Sequence, residues 1–203
     1  MIATLRTLAV TGLVAFPGAA LAQSQDGAGA ATSTDGDPAS GLSMGTVDGE
    51  PQVGARYERE VHGDWQVRCV KTESGQDPCQ LYQLLSDGQG NSVAEFSIFN
   101  LPEGQQAVAG ATVITPLETL LTAELRIQVD DGQVRRYPYS YCSQVGCFAR
   151  VGFTAGEVDA FKAGNAGKVV IVPAAAPDQN VALTLSLTGF TAAWNALQAG
   201  EPE

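Results

Sequence analysis

The run Val181-Ala182-Leu183-Thr184-Leu185-Ser186-Leu187 alternates an aliphatic side chain with a small or polar one at every step. Successive side chains of an extended strand point to opposite faces, so strict period two means one face inward and one face wetted. The same alternation recurs at Trp65, Val67 and Cys69, at Ala94, Phe96 and Ile98, and at Leu125, Ile127 and Val129. It returns once more at Cys147, Ala149, Val151 and Phe153. Residues 169–172 are apolar on both faces, the pattern of a central strand. Asp87-Gly88-Gln89-Gly90 and Asp130-Asp131-Gly132 supply residues that tolerate positive φ in hairpin turns, while Asn100-Leu101-Pro102-Glu103-Gly104 reads as a longer connection. Many short strands with regular turn signals predict an all-β domain, mainly an antiparallel β-sandwich or barrel-like sheet.

Two short helices interrupt the strands. Thr154-Ala155-Gly156-Glu157 reads as a capping box, with Val158 and Phe161 then on one face. Gly164 is expected in the left-handed position just past the last turn. After Gly189, the residues Phe190, Ala193, Trp194 and Leu197 fall at helical spacing and make one apolar stripe that should close an end of the sheet core.

The stretch Tyr137-Pro138-Tyr139-Ser140-Tyr141-Cys142-Ser143-Gln144-Val145-Gly146-Cys147-Phe148 concentrates tyrosine and cysteine, and reads as two strands meeting at a tight turn. By period two, Tyr137, Tyr139 and Tyr141 share one strand face, with Arg135 and Arg136 just before them. An exposed row of this kind is a binding face, because Tyr and Arg are favoured at contact hot spots. A buried row would instead fill the core or cover the sheet edge.

The chain ends and the charge balance bear on compartment. Arg6 and the amino terminus, the apolar residues 8–16, and Ala20-Leu21-Ala22 have the layout of a secretory signal peptide cleaved after Ala22. Gln23, rather than a cysteine, follows that site, which argues against a lipid anchor. Residues 23–55 are Gly, Ala, Ser, Thr and Asp with few larger aliphatics, and cannot bury enough apolar surface to offset the entropy of ordering. They are read as a disordered acidic tether, followed by one β-rich domain over 56–198 and a short tail at 199–203. No later segment is apolar enough for a transmembrane helix, so a periplasmic or secreted location is expected, with outer-membrane association open. With 22 acidic and 11 basic side chains the chain repels phosphate backbones, which makes nucleic acid an unsuitable partner and a protein or envelope partner the expected one. Export means an oxidising compartment in which disulfides persist. Four cysteines allow three pairings and sequence does not choose among them. Cys69 with Cys79 and Cys142 with Cys147 are favoured as local pairs, each closing a short loop for about 2–3 kcal/mol.

Catalytic chemistry has little to work with. His62 is the only histidine, no Gly-x-Ser-x-Gly elbow accompanies it, and Gly63-Asp64 suggest that it lies in a loop entering the first strand. The cysteine spacings lack two compact metal knuckles, and neither pair is Cys-x-x-Cys. Asp130-Asp131 precede a turn glycine, and Glu157 and Asp159 sit in a helix first turn, where anions are favoured for structural reasons. The expectation is a non-enzymatic binding or envelope accessory protein without catalytic residues, metal or cofactor. An extracytoplasmic enzyme with an unrecognised carboxylate or tyrosine site, and a purely structural envelope component, are the alternatives.

Several blocks resemble the invasion-associated locus B family: Gly63-Asp64-Trp65-Gln66-Val67-Arg68-Cys69, the stretch from Cys142 to Gly146-Cys147, and Ser186-Leu187-Thr188-Gly189-Phe190-Thr191-Ala192-Ala193. Thr115-Pro116-Leu117-Glu118-Thr119-Leu120-Leu121 and the Asp130-Asp131-Gly132 turn also resemble it. The resemblance covers the folded part and implies an exported bacterial protein, periplasmic or associated with the outer membrane, with a β-rich domain and the cysteines paired. A role in host-cell invasion is implied by the family name rather than by any residue. The resemblance brings no catalytic residues, and the acidic tether departs from the compact family pattern.

Overall fold

The computed structural model describes residues 49–200, and in them eleven strands form one sheet. In chain order they are β1 (Arg56–His62), β2 (Trp65–Val70), β3 (Cys79–Ser86), β4 (Ser92–Asn100), β5 (Ala109–Thr115), β6 (Leu125–Val129), β7 (Arg135–Tyr137), β8 (Tyr139–Ser143), β9 (Gly146–Phe153), β10 (Ala166–Ile171) and β11 (Val181–Ser186). Helix α1 (Ala155–Ala163) follows β9 and α2 (Phe190–Ala199) follows β11. No described helix is long and apolar enough to cross a membrane. The proposed signal peptide with its Ala22 site, residues 23–48 of the tether and residues 201–203 of the tail lie outside the described residues. At the tether's other end, Gly54 N–H donates to the Lys71 carbonyl and Lys71 N–H to the Ala55 carbonyl, so backbone pairing begins just ahead of residue 56.

All of the strand pairings are antiparallel, and the hydrogen-bonded order is β7-β6-β10-β11-β3-β4-β5-β9-β8, with β2 also on β3 and β1 on β2. The two ends of that path, β7 and β8, are consecutive in the chain and separated by Pro138 alone. Proline has no N–H to give a ladder, so the chain leaves β6 there and joins β9 on the far end of the sheet. The sheet is thereby drawn into a nearly closed barrel. Across the seam the ring of Tyr137 meets Phe153 of β9 edge-on, with centroids 6.2 Å apart.

Inward-facing residues of the strands and one face of each helix make a single core. Trp65 stands in its middle, 6.0 Å from Phe96 and 5.1 Å from Phe190 by ring centroid, in edge-on geometry. Phe161 of α1 joins Phe153 and Phe190 at 5.1 and 5.5 Å, so both helices are plugs for the barrel interior. Each such buried aliphatic or aromatic side chain contributes about 1.5–3 kcal/mol by removal from water. Arg59 of β1 fastens α2 from its far end, donating from Nη2 to the Ala196 carbonyl at 2.7 Å, where the helix dipole favours a cation.

One edge of β3 is divided between two neighbours. Its first residues, Cys79 to Tyr82, pair with β2, and its last, Ser86, pairs with Thr184 of β11. Gln83 lies in the gap and is almost fully buried. Its carboxamide takes the place of a peptide group: Oε1 accepts from Ser186 N–H at 2.7 Å, and Nε2 donates to the carbonyls of Ser186 (3.0 Å) and Asp64 (3.3 Å). Trp65 Nε1 also donates to the Ser186 carbonyl, and the Ser186 hydroxyl donates to the Asp64 carboxylate at 2.5 Å. Beside them Gly63 and Gly189, both at positive φ, press backbone on backbone. A Cβ on Gly63 would strike the Thr188 carbonyl, and one on Gly189 the His62 carbonyl. The sequence blocks at 63–69 and 186–193 are thus one joint in space.

Two local expectations are corrected. Gly164 is extended (φ −75°), not left-handed; glycine is needed there because a Cβ would lie 2.7 Å from Val129 Cγ1 and 2.8 Å from the Ala160 carbonyl. In the Asp130-Asp131-Gly132 turn it is Asp130 that takes the positive φ, and its carboxylate accepts from Asn165 and Ala166 N–H. His62 closes strand β1 rather than lying in a loop, because residues 56–62 pair with β2 despite their charge.

Candidate functional site

The tyrosine stretch lies on the barrel seam, and its three rings do not share one face. Pro138 separates Tyr137, laddered to Leu125 of β6, from Tyr139, laddered to Ala149 of β9. A register shift between Tyr139 and Tyr141 then breaks the period of two again. Tyr137 and Tyr139 are half-buried against the core and Tyr141 is exposed, so the buried and the exposed readings of the row each describe part of it. Burial, followed by the nearby Glu157 carboxylate, pushes the Tyr137 phenol up to about 12. Burial also raises the Tyr139 phenol. Arg135 and Arg136 are exposed on β7.

Tyr141, by contrast, is 46% exposed and stacks on its ladder partner Phe148, with ring planes 11° apart and centroids 4.6 Å apart. The guanidinium of Arg150 stands 5.6 Å from the Tyr141 ring centre. The next ladder pair along the hairpin is the Cys142–Cys147 bridge, which holds the register of β8 on β9. The Cys69–Cys79 bridge does the same for β2 on β3. The structure therefore contains both local disulfides, each between residues directly opposite in a ladder.

Phe148 and Arg150 belong to the outer face of β9, and that face continues across the sheet. Tyr82, Ser97, Thr112 and Arg150 form one cross-strand row; Leu84, Glu95, Ile114, Phe148 and Tyr141 form the next. A cleft of about 810 Å³ occupies this face, walled by Arg56, Arg68, Tyr82, Phe99 and Phe148 among others. Arg68 lies over Tyr82 with its guanidinium carbon 3.3 Å from the ring centre, a cation–π contact, and its Nε donates to Gln66 Oε1 at 2.9 Å. Phe99 covers Gly110, whose lack of a Cβ lets the ring lie against the strand. Asp77 at the cleft wall is held down at about 2 by the Thr72 N–H, the Tyr57 hydroxyl, the Thr72 hydroxyl and Lys71.

A second cleft, of about 520 Å³, lies between the β6–β7 hairpin and α1, with Arg135, Tyr137 and Glu157 above Phe153 and Phe161. Glu157 caps α1 there: its carboxylate accepts from the Thr154 N–H (2.8 Å), the Thr154 hydroxyl (2.7 Å) and Arg135 Nε (2.7 Å). A carboxylate committed to three donors serves as a helix cap and a strap to β7, not as a proton acceptor for a substrate. His62 is elsewhere, at the end of β1, where its Nε2 lies 2.9 Å from Glu60 Oε2. That contact, with Arg59, lowers the Glu60 carboxyl. Sequence reasoning missed Phe148, Arg150 and Arg68 as groups of the outer face, with Tyr82 buried beneath Arg68, although outward positions flanking the core alternation were the available signal.

Residues 65–198 match the family described as invasion associated locus B (IalB) protein. Two proteins of Brucella abortus, from strain 2308 and from biovar 1 strain 9-941, each named an invasion protein B homolog, are 31% identical to this chain over 147 residues. Those matches cover 72% of this chain and 82% of theirs. A crystal structure of invasion associated protein b from Bartonella henselae is similar at a TM-score of 0.56 and 27% identity, over 69% of this chain and 94% of that one.

Proposed function

The chain belongs to the invasion associated locus B family, and from that premise we propose that it is a non-enzymatic, extracytoplasmic binding or accessory protein of the bacterial envelope. The observation that carries this reading is the outer face of β8 and β9, where Tyr141 is exposed, stacked on Phe148 and flanked by Arg150. Rings held rigid by a stack, beside a guanidinium, lose little entropy when a protein partner covers them. The two ladder disulfides fit an oxidising compartment. Export with cleavage after Ala22 would deliver the domain to the periplasm or the cell surface on an acidic spacer of residues 23–55.

The test is capture of envelope proteins from the native host on immobilised mature chain, with Tyr141→Ala and Arg150→Gln as parallel baits. A partner retained by the wild type and lost with either variant is expected. Equal recovery on all three baits refutes the role of this face. Sequencing the amino terminus of the exported protein tests cleavage after Ala22.

A further inference from the structure

We propose that the cleft on the outer face of β2 to β5 binds a carboxylate carried on an apolar body. The proposal rests on the reading of this chain as a binding protein and names the chemistry that its sheet face recognises. Its anchor is Arg68. The Tyr82 ring beneath and Gln66 Oε1 at Nε fix the guanidinium plane in advance. Among the described residues no acceptor engages its two terminal nitrogens. A pre-oriented fork of two parallel N–H donors is the geometry that a carboxylate fills bidentately.

The surroundings agree with that ligand. Arg56 adds a second cation at the cleft, and the Asp77 carboxylate is already answered by Thr72, Tyr57 and Lys71. Arg56 and Arg68 are thus the cleft's two cations, with Glu95 in the same lining and Glu58 opposite Arg68 in the β1–β2 ladder as the carboxylates near them, in a chain whose net charge is −11. Phe99, Ile114 and Phe148 give it an apolar floor for the ligand body, and Ser97 and Thr112 place hydroxyls between. The Asn100 carboxamide oxygen at the wall is buried without a partner among the described residues. Glu95 is the opposing charge, one cross-strand row away from Ser97.

The bound group can be a free aromatic acid or the terminal carboxylate of a peptide, and the test separates the two. Phenylacetate and the peptide acetyl-Ala-Ala-Phe with a free carboxyl are titrated into the oxidised mature chain, each against its neutral amide, while backbone amide resonances are followed. Both acids are expected to shift Tyr82, Ser97 and Thr112 saturably, and the amides to leave them in place. Arg68→Gln weakens binding roughly tenfold or more, the loss expected for charge-assisted hydrogen bonds, and Arg68→Lys restores only part of it. Glu95→Gln tightens binding by removing the repulsion. Tighter binding of the peptide assigns the source to protein termini, and tighter binding of phenylacetate assigns it to a small acid. Equal shifts by acids and amides, shifts confined to another face, or unaltered binding to both Arg68→Gln and Glu95→Gln overturn the proposal. Capture of the envelope partner on Arg68→Gln is read beside the titration, with the partner retained, so failure of the partner face and failure of the carboxylate site are separate results.

Discussion

Replacing Gln83 by leucine isolates the one side chain that completes the sheet where β2 stops and β11 begins. Leucine is close to glutamine in volume, so the change removes polar atoms with little cavity. Three hydrogen bonds are lost, yet their consequences differ. The Ser186 carbonyl keeps the Trp65 indole at 2.9 Å, and Asp64 is exposed, so its carbonyl turns to water. The Ser186 N–H has no second acceptor within the joint, and an orphaned buried donor costs about 1–3 kcal/mol. A loss of about 2 kcal/mol, at a urea slope of about 2 kcal/mol per molar, lowers the unfolding midpoint by about 1 M without changing the slope. The measurement is urea unfolding of the oxidised protein followed by tryptophan fluorescence, since Trp65 reports the same joint. Gln80→Leu, on the outward face of the same strand, is the control and stays within about 0.5 kcal/mol of wild type. If Gln83→Leu matches that control, the carboxamide is dispensable and the account of the β3 edge is wrong.

Gly189→Ala sets a methyl group against the His62 carbonyl at a backbone φ of +84°, and a fall of about 3 kcal/mol in stability by thermal unfolding is expected. Gly63→Ala added to it costs little more, because the same contact is already broken. Asp77 has a depressed folded value of about 2, so its stabilisation is full above the ordinary carboxylate range and is lost as pH falls towards that value. Asp77→Asn should therefore flatten the acid limb of the urea midpoint measured against pH; an unchanged limb would remove Asp77 from the account. Tyr137 is the reverse case, a neutral phenol favoured up to about 12, whose stabilisation is present below the ordinary phenol range and lost as pH rises through that value. In an alkaline absorbance titration the latest phenolate step should vanish in Tyr137→Phe, and its persistence would assign that step to another ring.

What could be read from sequence followed from how evenly each strand divides its two faces. β2, β4, β6, β9 and β11 alternate because one face meets the core and the other meets solvent or the cleft. β3 does not: Leu81, Tyr82 and Gln83 are buried in succession, since Arg68 covers the outer ring and the edge beside Gln83 is closed by β11. β5 also hides its nature, because its neighbours on both sides allow small residues such as Ala109, Gly110 and Ala111 in series. β1 is charged because it pairs on one side only. The tyrosine row failed for a different reason. Counting by twos assumes an unbroken strand, whereas Pro138 transfers the chain between sheet ends and a register shift follows two residues later. The role of Gln83 lay beyond any local pattern, because its partner is 103 positions away.

That separation also imposes an order on assembly. A chain made from its amino terminus has β1 to β5 complete as a run of neighbouring hairpins long before Ser186 exists. Until β11 arrives, the Gln83 amide and the Trp65 indole face an open edge, and the hollow that α2 will plug stays wet. Long-range pairing of this sort is slow to form and exposes apolar surface while it waits. A chain truncated ahead of β11 thus cannot pass for a finished one: it keeps an unzipped margin and an unstoppered interior, both legible to chaperones and proteases.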